Sequence, residues 1–214
     1  MNNRHQVHNL IILDESGSMN SIKQEIIEAF NTIVTTMKKL AESFPEQEHL
    51  ISMVTFNSLE TKTYLHLSPL SSLDVISGRN YCPQSGTPLY DAMGFSIGRL
   101  RNETKNSGKH NVLVNVLTDG LENASREYSG PAIRSLVDEL KHSGNWTFTY
   151  TGADHDVEKA AMNVSIPNAI RFQKSKAGID NFLRQELHGK KKYMQKIRTG
   201  EDVIFNFYDE NGKK

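Results

Sequence analysis

The sequence lacks several features that mark special classes of protein. It has 214 residues but only one cysteine, Cys82, which excludes an internal disulfide framework. The 25 lysine and arginine residues equal the 25 aspartate and glutamate residues in number, so no net charge of one sign attracts nucleic acid or a membrane. No stretch approaches the roughly 18 apolar residues of a membrane span. A chain of this length can bury the core of one α/β domain.

The N-terminal residues predict a cytoplasmic protein. The first twenty residues contain no basic segment followed by an apolar core and a small-residue cleavage site, and Asp14 and Glu15 interrupt the only apolar run. We therefore expect no secretory signal. The single cysteine also fits a reducing compartment.

The motifs of several common enzyme classes are missing as well. The chain has neither the G-x-x-x-x-G-K-[ST] phosphate loop nor the G-x-G-x-x-G dinucleotide motif. The G-x-S-x-G nucleophile elbow fails because Glu15 stands where its first glycine is required. A phosphatase with an aspartate nucleophile would carry a second aspartate two residues after Asp14, where this chain has Ser16. The eight histidines show no metal-ligand spacing.

The sequence does contain a group of oxygen-bearing side chains directly after a buried strand. Residues 10–13 form a continuous apolar run, which is typical of a strand buried on both faces of a parallel sheet. Asp14, Ser16 and Ser18 follow at alternate positions. In open α/β sheets, ligands bind at this carboxyl edge. In the alternative interpretation, Ser18 or Ser21 only caps the helix that follows.

Two later loops carry side chains of the same chemistry. Thr87 ends a long loop over residues 68–88 and precedes Pro88, which suits the first turn of a helix. Residues 111–117 form another buried strand, and Asp119 follows it after one residue. Taken alone, Thr87 could be a plain helix cap and Asp119 a turn residue before glycine.

The hydrophobic pattern predicts a doubly wound α/β fold of about six strands with helices on both faces. The predicted strands are residues 10–13, 50–56, 61–67, 111–117, 146–151 and 169–172. The predicted helices are residues 22–43, 88–100, 129–144, 154–163 and 176–198. Because the connection over residues 57–60 is too short for a crossover helix, the third strand should run antiparallel to the second, at an edge of the sheet.

The D-E-S-G-S loop, the S-G-T-P sequence and the T-D-G sequence together resemble the von Willebrand factor type A domain. In that family, a D-x-S-x-S motif, a distal threonine and a distal aspartate form a metal-ion-dependent adhesion site. The corresponding set is complete here and consists of Asp14, Ser16, Ser18, Thr87 and Asp119. The resemblance is greatest to intracellular bacterial members, which also carry S-G-T-P-L. It implies the sheet order 3-2-1-4-5-6 and a domain over residues 7–198.

The chemistry of these side chains predicts which metal they bind. Hydroxyl and carboxylate oxygens, with no cysteine or histidine in the three motifs, suit Mg²⁺ or Mn²⁺ rather than Zn²⁺ or copper. The resemblance implies that Ser16, Ser18 and Thr87 bind the ion directly, whereas Asp14 and Asp119 hold waters on it. It also implies a partner protein that presents an aspartate or glutamate to the ion. The predicted function is therefore protein binding rather than catalysis.

Two other functions stay open at this stage. A hydrolase or phosphatase could use a metal-bound water at the same loops. Residues 190–192, with Lys196 and Arg198, form the one basic cluster, which could bind nucleic acid or an acidic partner. Affinity that falls steeply with salt would favour nucleic acid, whereas dependence on Mg²⁺ would favour the adhesion-type site. Basic residues also suit the C-terminal end of a helix and its solvation, so we do not expect nucleic-acid binding.

The last residues, 199–214, are expected to form an extension of the domain. Val203, Phe205 and Phe207 alternate as in a strand, and residues 209–212 have the composition of a turn. We expect the segment to add a strand to an exposed edge of the sheet or to a second molecule. The alternative is a disordered terminus.

Overall fold

The computed structural model describes residues 4–153 and 156–208 of the chain. This part of the chain contains six strands and five helices. They are β1 (His5–Asp14), α1 (Lys23–Glu42), β2 (Gln47–Phe56), β3 (Thr61–Pro69), α2 (Leu89–Thr104), β4 (His110–Thr118), α3 (Gly130–His142), β5 (Trp146–Gly152), α4 (Val157–Asn163), β6 (Asn168–Arg171) and α5 (Lys176–Thr199). None of these helices is long and apolar enough to cross a membrane.

The strands form one sheet in the order β3-β2-β1-β4-β5-β6, with β3 antiparallel and every other pairing parallel. This confirms the predicted order and the predicted direction of β3. The central strand β1 pairs with β2 on one side and with β4 on the other, so that Leu13 lies beside Thr55 and Leu117. The carboxyl ends of β1, β2 and β4 therefore meet at one edge of the sheet.

Helices cover both faces of the sheet and bury separate apolar layers. On one face, Ile12 of β1 and Val116 of β4 pack in the same core as Ile97 of α2, together with α3 and α4. On the other face, Leu13 packs in a core with α1 and with Ile179 of α5. A strand covered on both faces needs apolar residues at successive positions, which explains the continuous run in β1.

Several elements begin earlier or later than the hydrophobic pattern indicates. β1 begins at His5 and β2 at Gln47, because their first halves carry polar residues that are nevertheless buried. For example, the Asn9 amide donates to the Leu50 carbonyl at 3.1 Å. A 3₁₀ turn over Gly17–Ile22 precedes α1. The predicted start of the fourth helix at residue 154 lies outside the described residues, and α4 begins at Val157.

Two of the buried polar residues are histidines without hydrogen-bond partners. Within the described residues, neither ring nitrogen of His8 or His49 has a partner. Burial lowers the pKa of His8 from 6.5 to about 4, with a smaller contribution from His110. Burial likewise lowers the pKa of His49 from 6.5 to about 4, and Lys190 adds to this while Glu46 opposes it. Both rings are therefore neutral in the folded protein at neutral pH.

We expect these histidines to make the protein sensitive to acid. Below pH 6.5 the unfolded chain binds protons that the folded protein excludes, so the free energy of unfolding falls as the pH drops towards 4. Each histidine should lower it by about 2 kcal/mol between pH 7.5 and pH 5. Urea unfolding at the two pH values should show this loss reduced in His8→Leu and in His49→Leu. Exposed His142→Leu serves as the control, and an equal acid loss in all three variants would contradict the assignment.

The basic cluster near the end of α5 is partly used for contacts within the chain. Lys190 is only 2% exposed; its ammonium lies 3.0 Å from Glu186 Oε1 and donates to Asn115 Oδ1 at 2.9 Å. Arg198 donates from Nε to Glu46 Oε1 at 2.7 Å. These charges are therefore neutralised by partners in the fold, which weakens the nucleic-acid alternative.

The segment after α5 packs against the protein, but not as the predicted strand. Residues 201–208 have no strand structure. Val203 and Phe207 are buried, whereas Phe205 is 48% exposed, so only two of the three alternating residues face the core. The predicted turn at residues 209–212 lies outside the described residues.

Side-chain hydrogen bonds explain why this segment forms no strand. Asn168 of β6 donates from Nδ2 to the Ile204 carbonyl at 2.8 Å and accepts from the Phe207 amide at 3.0 Å. An asparagine side chain thus uses backbone groups that a strand ladder would need. The Phe207 ring lies directly over Gly189 of α5, where any Cβ would collide with it.

We expect Phe207 to contribute strongly to stability and Phe205 to contribute little. Phe207→Ala leaves a cavity between α5 and the sheet and should lower the free energy of unfolding by about 3 kcal/mol. Phe205→Ala is the matched control and should change it by less than about 0.5 kcal/mol. Chemical unfolding checks both variants. Equal, small effects would show that the segment does not dock in solution.

Candidate metal centre

Asp14 is the buried anchor of the edge where β1, β2 and β4 end. Its Oδ1 accepts from the Ser16 amide at 2.7 Å, and its Oδ2 accepts from the Thr118 hydroxyl at 2.6 Å. The hydroxyl of buried Tyr81 donates to the Asp14 carbonyl at 2.7 Å. The carboxylate therefore joins the loop after β1 to the end of β4, and the long loop before α2 is tied to the same residue.

The hydroxyl groups of the other predicted residues lie around Asp119 and Gly120. The Ser18 hydroxyl donates to Asp119 Oδ1 at 2.6 Å, and the Ser16 and Ser18 hydroxyl oxygens are 3.1 Å apart. A Cβ placed on Gly120 would lie 3.3 Å from the Ser18 hydroxyl and 3.6 Å from the Thr87 hydroxyl. All five residues predicted from the sequence are thus brought together from three separate loops.

The hydroxyl groups are not used as helix caps. Ser16 holds the N-cap position of the 3₁₀ turn but makes no side-chain cap bond. The N-cap of α1 is Ile22 and that of α2 is Pro88, again without a side-chain cap bond. The capping interpretation of Ser18, Ser21 and Thr87 is therefore wrong.

The electrostatics of the site fit a cation. Asp14 is fully buried, and burial raises the pKa of Asp14 from 3.8 to about 6; the nearby charge of Asp119 also raises it, whereas hydrogen bonds from Thr118 and Ser16 oppose the shift. Among the described residues, Asp14 has hydrogen-bond donors but no ion pair. A buried carboxylate is costly unless a positive charge compensates it. Oxygen donors and uncompensated charge together suit a hard divalent ion.

The site differs from a carboxylate-rich metal cluster. No group of three or more histidine, cysteine, aspartate or glutamate side chains that could hold a metal occurs in the described part of the chain. Glu15 points away from the serines, because its carboxylate accepts from the Thr55 hydroxyl at 2.7 Å and from the Cys82 amide. It also faces Lys62 at 3.5 Å. Any ion here would be held by neutral hydroxyls as much as by carboxylates.

Sequence reasoning missed a lysine that reaches the site. Lys174, in the connection from β6 to α5, places its ammonium 2.9 Å from Asp119 Oδ2 and 3.1 Å from the Ser21 hydroxyl. The lysine is 55 residues from Asp119 in sequence, so no local pattern indicates the contact.

Sequence reasoning also missed the residues that lock the second and third loops together. The Asn123 side chain accepts from the Thr87 amide at 2.8 Å, and the Asn123 amide donates to the Thr87 carbonyl at 3.1 Å. Glu122 accepts from the Tyr90 amide at 3.0 Å and from the Ser125 amide at 2.7 Å. These bonds fix the start of α2 against the loop after β4, and therefore fix Thr87 relative to Asp119.

Asp91 of α2 also holds the loop after β4 in place, through hydrogen bonds that its carboxylate accepts from that loop. Its Oδ2 accepts from the Arg126 amide at 2.8 Å, and its Oδ1 accepts from the amides of Glu127 and Tyr128 at 2.9 Å and 2.8 Å. Hydrogen bonds from amides to a carboxylate are charge-assisted and stronger than neutral ones. A loop with little secondary structure is thus held in one conformation.

We expect Asp91→Ala to loosen the loop after β4. The loss of three amide partners should speed hydrogen exchange at residues 126–128 and lower the free energy of unfolding by about 2 kcal/mol. Hydrogen exchange with mass spectrometry and urea unfolding measure the two effects. Exposed Asp74→Ala removes the same charge elsewhere and should change neither. Unaltered exchange at residues 126–128 would contradict the proposed lock.

Comparison with known proteins agrees with this architecture. A family model for the von Willebrand factor type A domain matches residues 10–185. A search of curated proteins found no match.

Solved structures share the fold at low sequence identity. The vWF domain of the type V pili tip protein Mfa5 from Porphyromonas gingivalis is 14% identical, with a TM-score of 0.58 over 92% of this chain and 96% of that one. Manganese-loaded TRAP protein from Plasmodium vivax is 17% identical, with a TM-score of 0.54 over 87% and 74%. Proximal thread matrix protein 1 of the mussel byssus is 14% identical, with a TM-score of 0.56 over 89% of this chain but only 46% of that chain. This chain thus spans about half of the mussel protein, and such likeness shows the fold alone.

Proposed function

The chain belongs to the von Willebrand factor type A domain family, and we propose that it is a protein-binding module with a complete metal-ion-dependent adhesion site. The ion would be Mg²⁺ or Mn²⁺. The proposed ligand set would be Asp14, Ser16, Ser18, Thr87 and Asp119, with the two aspartates acting through waters. The observation that carries the proposal is the convergence of these five oxygen-bearing side chains, from three loops, at one edge of the sheet.

The family resemblance implies a division of roles among the five residues, and their chemistry is consistent with it. The Asp14 carboxylate accepts hydrogen bonds from the Ser16 amide and the Thr118 hydroxyl, which fix its orientation. A carboxylate fixed in this way is suited to orienting waters on the ion. The hydroxyls of Ser16, Ser18 and Thr87 are the neutral donors. When bound, the divalent ion supplies a Lewis-acidic position that accepts a carboxylate from a partner. With few charged ligands on it, that position favours an aspartate or glutamate of another protein.

Protein binding fits this site better than catalysis does. Glu15 is the one carboxylate adjacent in sequence to the ligand set. Its two oxygens accept hydrogen bonds from the Thr55 hydroxyl and the Cys82 amide, and so it points away from the serines. No general base is therefore aimed at the hydroxyls from this loop. The metal-dependent hydrolase or phosphatase is the second candidate. Turnover of a generic phosphate ester or ester that disappears in Ser16→Ala would favour it.

The remaining features of the proposal rest on the sequence. We propose a domain over residues 7–198 and an extension over residues 199–214, which is consistent with the family match over 10–185. The S-G-T-P-L sequence at residues 85–89 supports similarity to the bacterial intracellular members. The cytoplasmic location stays a prediction.

We expect Mg²⁺ and Mn²⁺ to bind with one ion per chain and to raise the melting temperature. Ser16→Ala and Thr87→Ala, which remove one hydroxyl each from different loops, should weaken binding by roughly tenfold or more. Isothermal titration calorimetry measures the affinity, and circular dichroism checks the fold.

Ser72→Ala is the control for these variants, because it removes the same hydroxyl elsewhere. Ser72 is exposed and lies just after the end of β3, beside the start of β2 and therefore at the opposite edge of the sheet. It should bind metal like the unmodified protein. An unchanged metal isotherm in both Ser16→Ala and Thr87→Ala would refute the metal site.

A further inference from the structure

A lysine from outside the three metal loops neutralises part of the proposed site. Lys174 lies one residue before Ser175, whose hydroxyl accepts from the Gly178 amide and caps α5. This cap anchors the backbone beside Lys174. The side chain reaches across to the loop after β4, where its ammonium lies 2.9 Å from Asp119 Oδ2, and also contacts Ser21 at 3.1 Å.

The contact is more than a solvent-exposed ion pair. The side chain of Asp119 is 0% exposed and that of Lys174 is 21% exposed. Exposed ion pairs are screened by water and contribute little, whereas a pair with a buried member is screened far less. Both Asp119 oxygens are engaged, because Oδ1 accepts from Ser18 and Oδ2 from Lys174.

We propose that Lys174 is a built-in competitor of the divalent ion, whose ammonium occupies the Asp119 oxygen that the metal site needs. This inference rests on the proposed function of the same site. A divalent ion held beside Asp119 would either displace the ammonium or bear its repulsion at short range. Lys174 therefore lowers the affinity of the site for divalent metal.

The opposite role for Lys174 predicts the opposite result. If the lysine served only to hold Asp119 and Ser21 in position for the metal, its removal would loosen the site and weaken metal binding. If it competes with the metal, its removal frees Asp119 and strengthens binding. The direction of the change in affinity thus separates competition from a merely structural role.

The first experiment compares metal affinity in Lys174→Met and in the unmodified protein. Methionine keeps the length of the side chain and removes the charge. Lys176→Met is the matched control, because Lys176 is exposed, lies two residues away and loses the same charge. Calorimetric titration with Mg²⁺ and Mn²⁺ should give about tenfold tighter binding in Lys174→Met and no change in Lys176→Met. Equal or weaker binding in Lys174→Met would overturn the proposal.

A second measurement follows the lysine itself rather than the metal. Acetylation of the ε-amino groups by acetic anhydride, read by mass spectrometry, should be slower at Lys174 than at Lys176 in metal-free protein. Saturating Mg²⁺ should raise the rate at Lys174 and leave the rate at Lys176 unchanged. A rate at Lys174 that does not respond to Mg²⁺ would also overturn the proposal.

The two experiments separate failure of this inference from failure of the proposed function. If the unmodified protein binds metal and loses it in Ser16→Ala, but Lys174→Met binds equally, only the lysine proposal is wrong. If Lys174→Met binds metal and the unmodified protein does not, competition is supported in its strongest form. If neither protein binds metal, both proposals are wrong.

Discussion

The burial of a carboxylate at the end of the central strand is the constraint on which the rest of this edge depends. Asp14 lies where β1 stops, between the ends of β2 and β4, and is shielded from water. A charge in that position needs donors, and it takes one from its own loop through Ser16 and one from β4 through Thr118. The Asp14 side chain thereby fixes both the conformation of the D-E-S-G-S loop and the distance of this loop from β4.

The other two loops are held by the same means, with carboxylates that bind backbone amides. Glu122 and Asp91 bind amides across the gap between α2 and the loop after β4, in both directions. Irregular loops would otherwise leave these amides to water. Lys174 brings a positive charge to Asp119 from the connection between β6 and α5. Carboxylate–amide hydrogen bonds therefore hold these loops together, and the ammonium of Lys174 compensates part of the charge at Asp119.

The parts of the molecule that were predicted correctly share a local cause. Continuous apolar runs indicated buried strands, and the four-residue connection before β3 required it to run antiparallel. The predictions that failed involve polar residues whose partners are distant in sequence. The C-terminal segment alternates like a strand, yet Asn168 binds the backbone groups near Ile204 and Phe207, and so the segment forms no ladder.

The sequence by itself determined the succession of strands and helices along the chain, because continuous apolar runs and helical periodicity are local patterns. Its resemblance to the family indicated the sheet order and the five side chains, and the carboxyl ends of β1 and β4 explain why Asp14 and Asp119 meet at one edge. The tertiary structure alone decided that the Ser18 hydroxyl faces Asp119 rather than caps a helix, and that Glu15 turns away from the serines. It also decided that Lys174 reaches the site. Such contacts join residues that are far apart in the chain, and only packing of the complete sheet and its helices sets their distances.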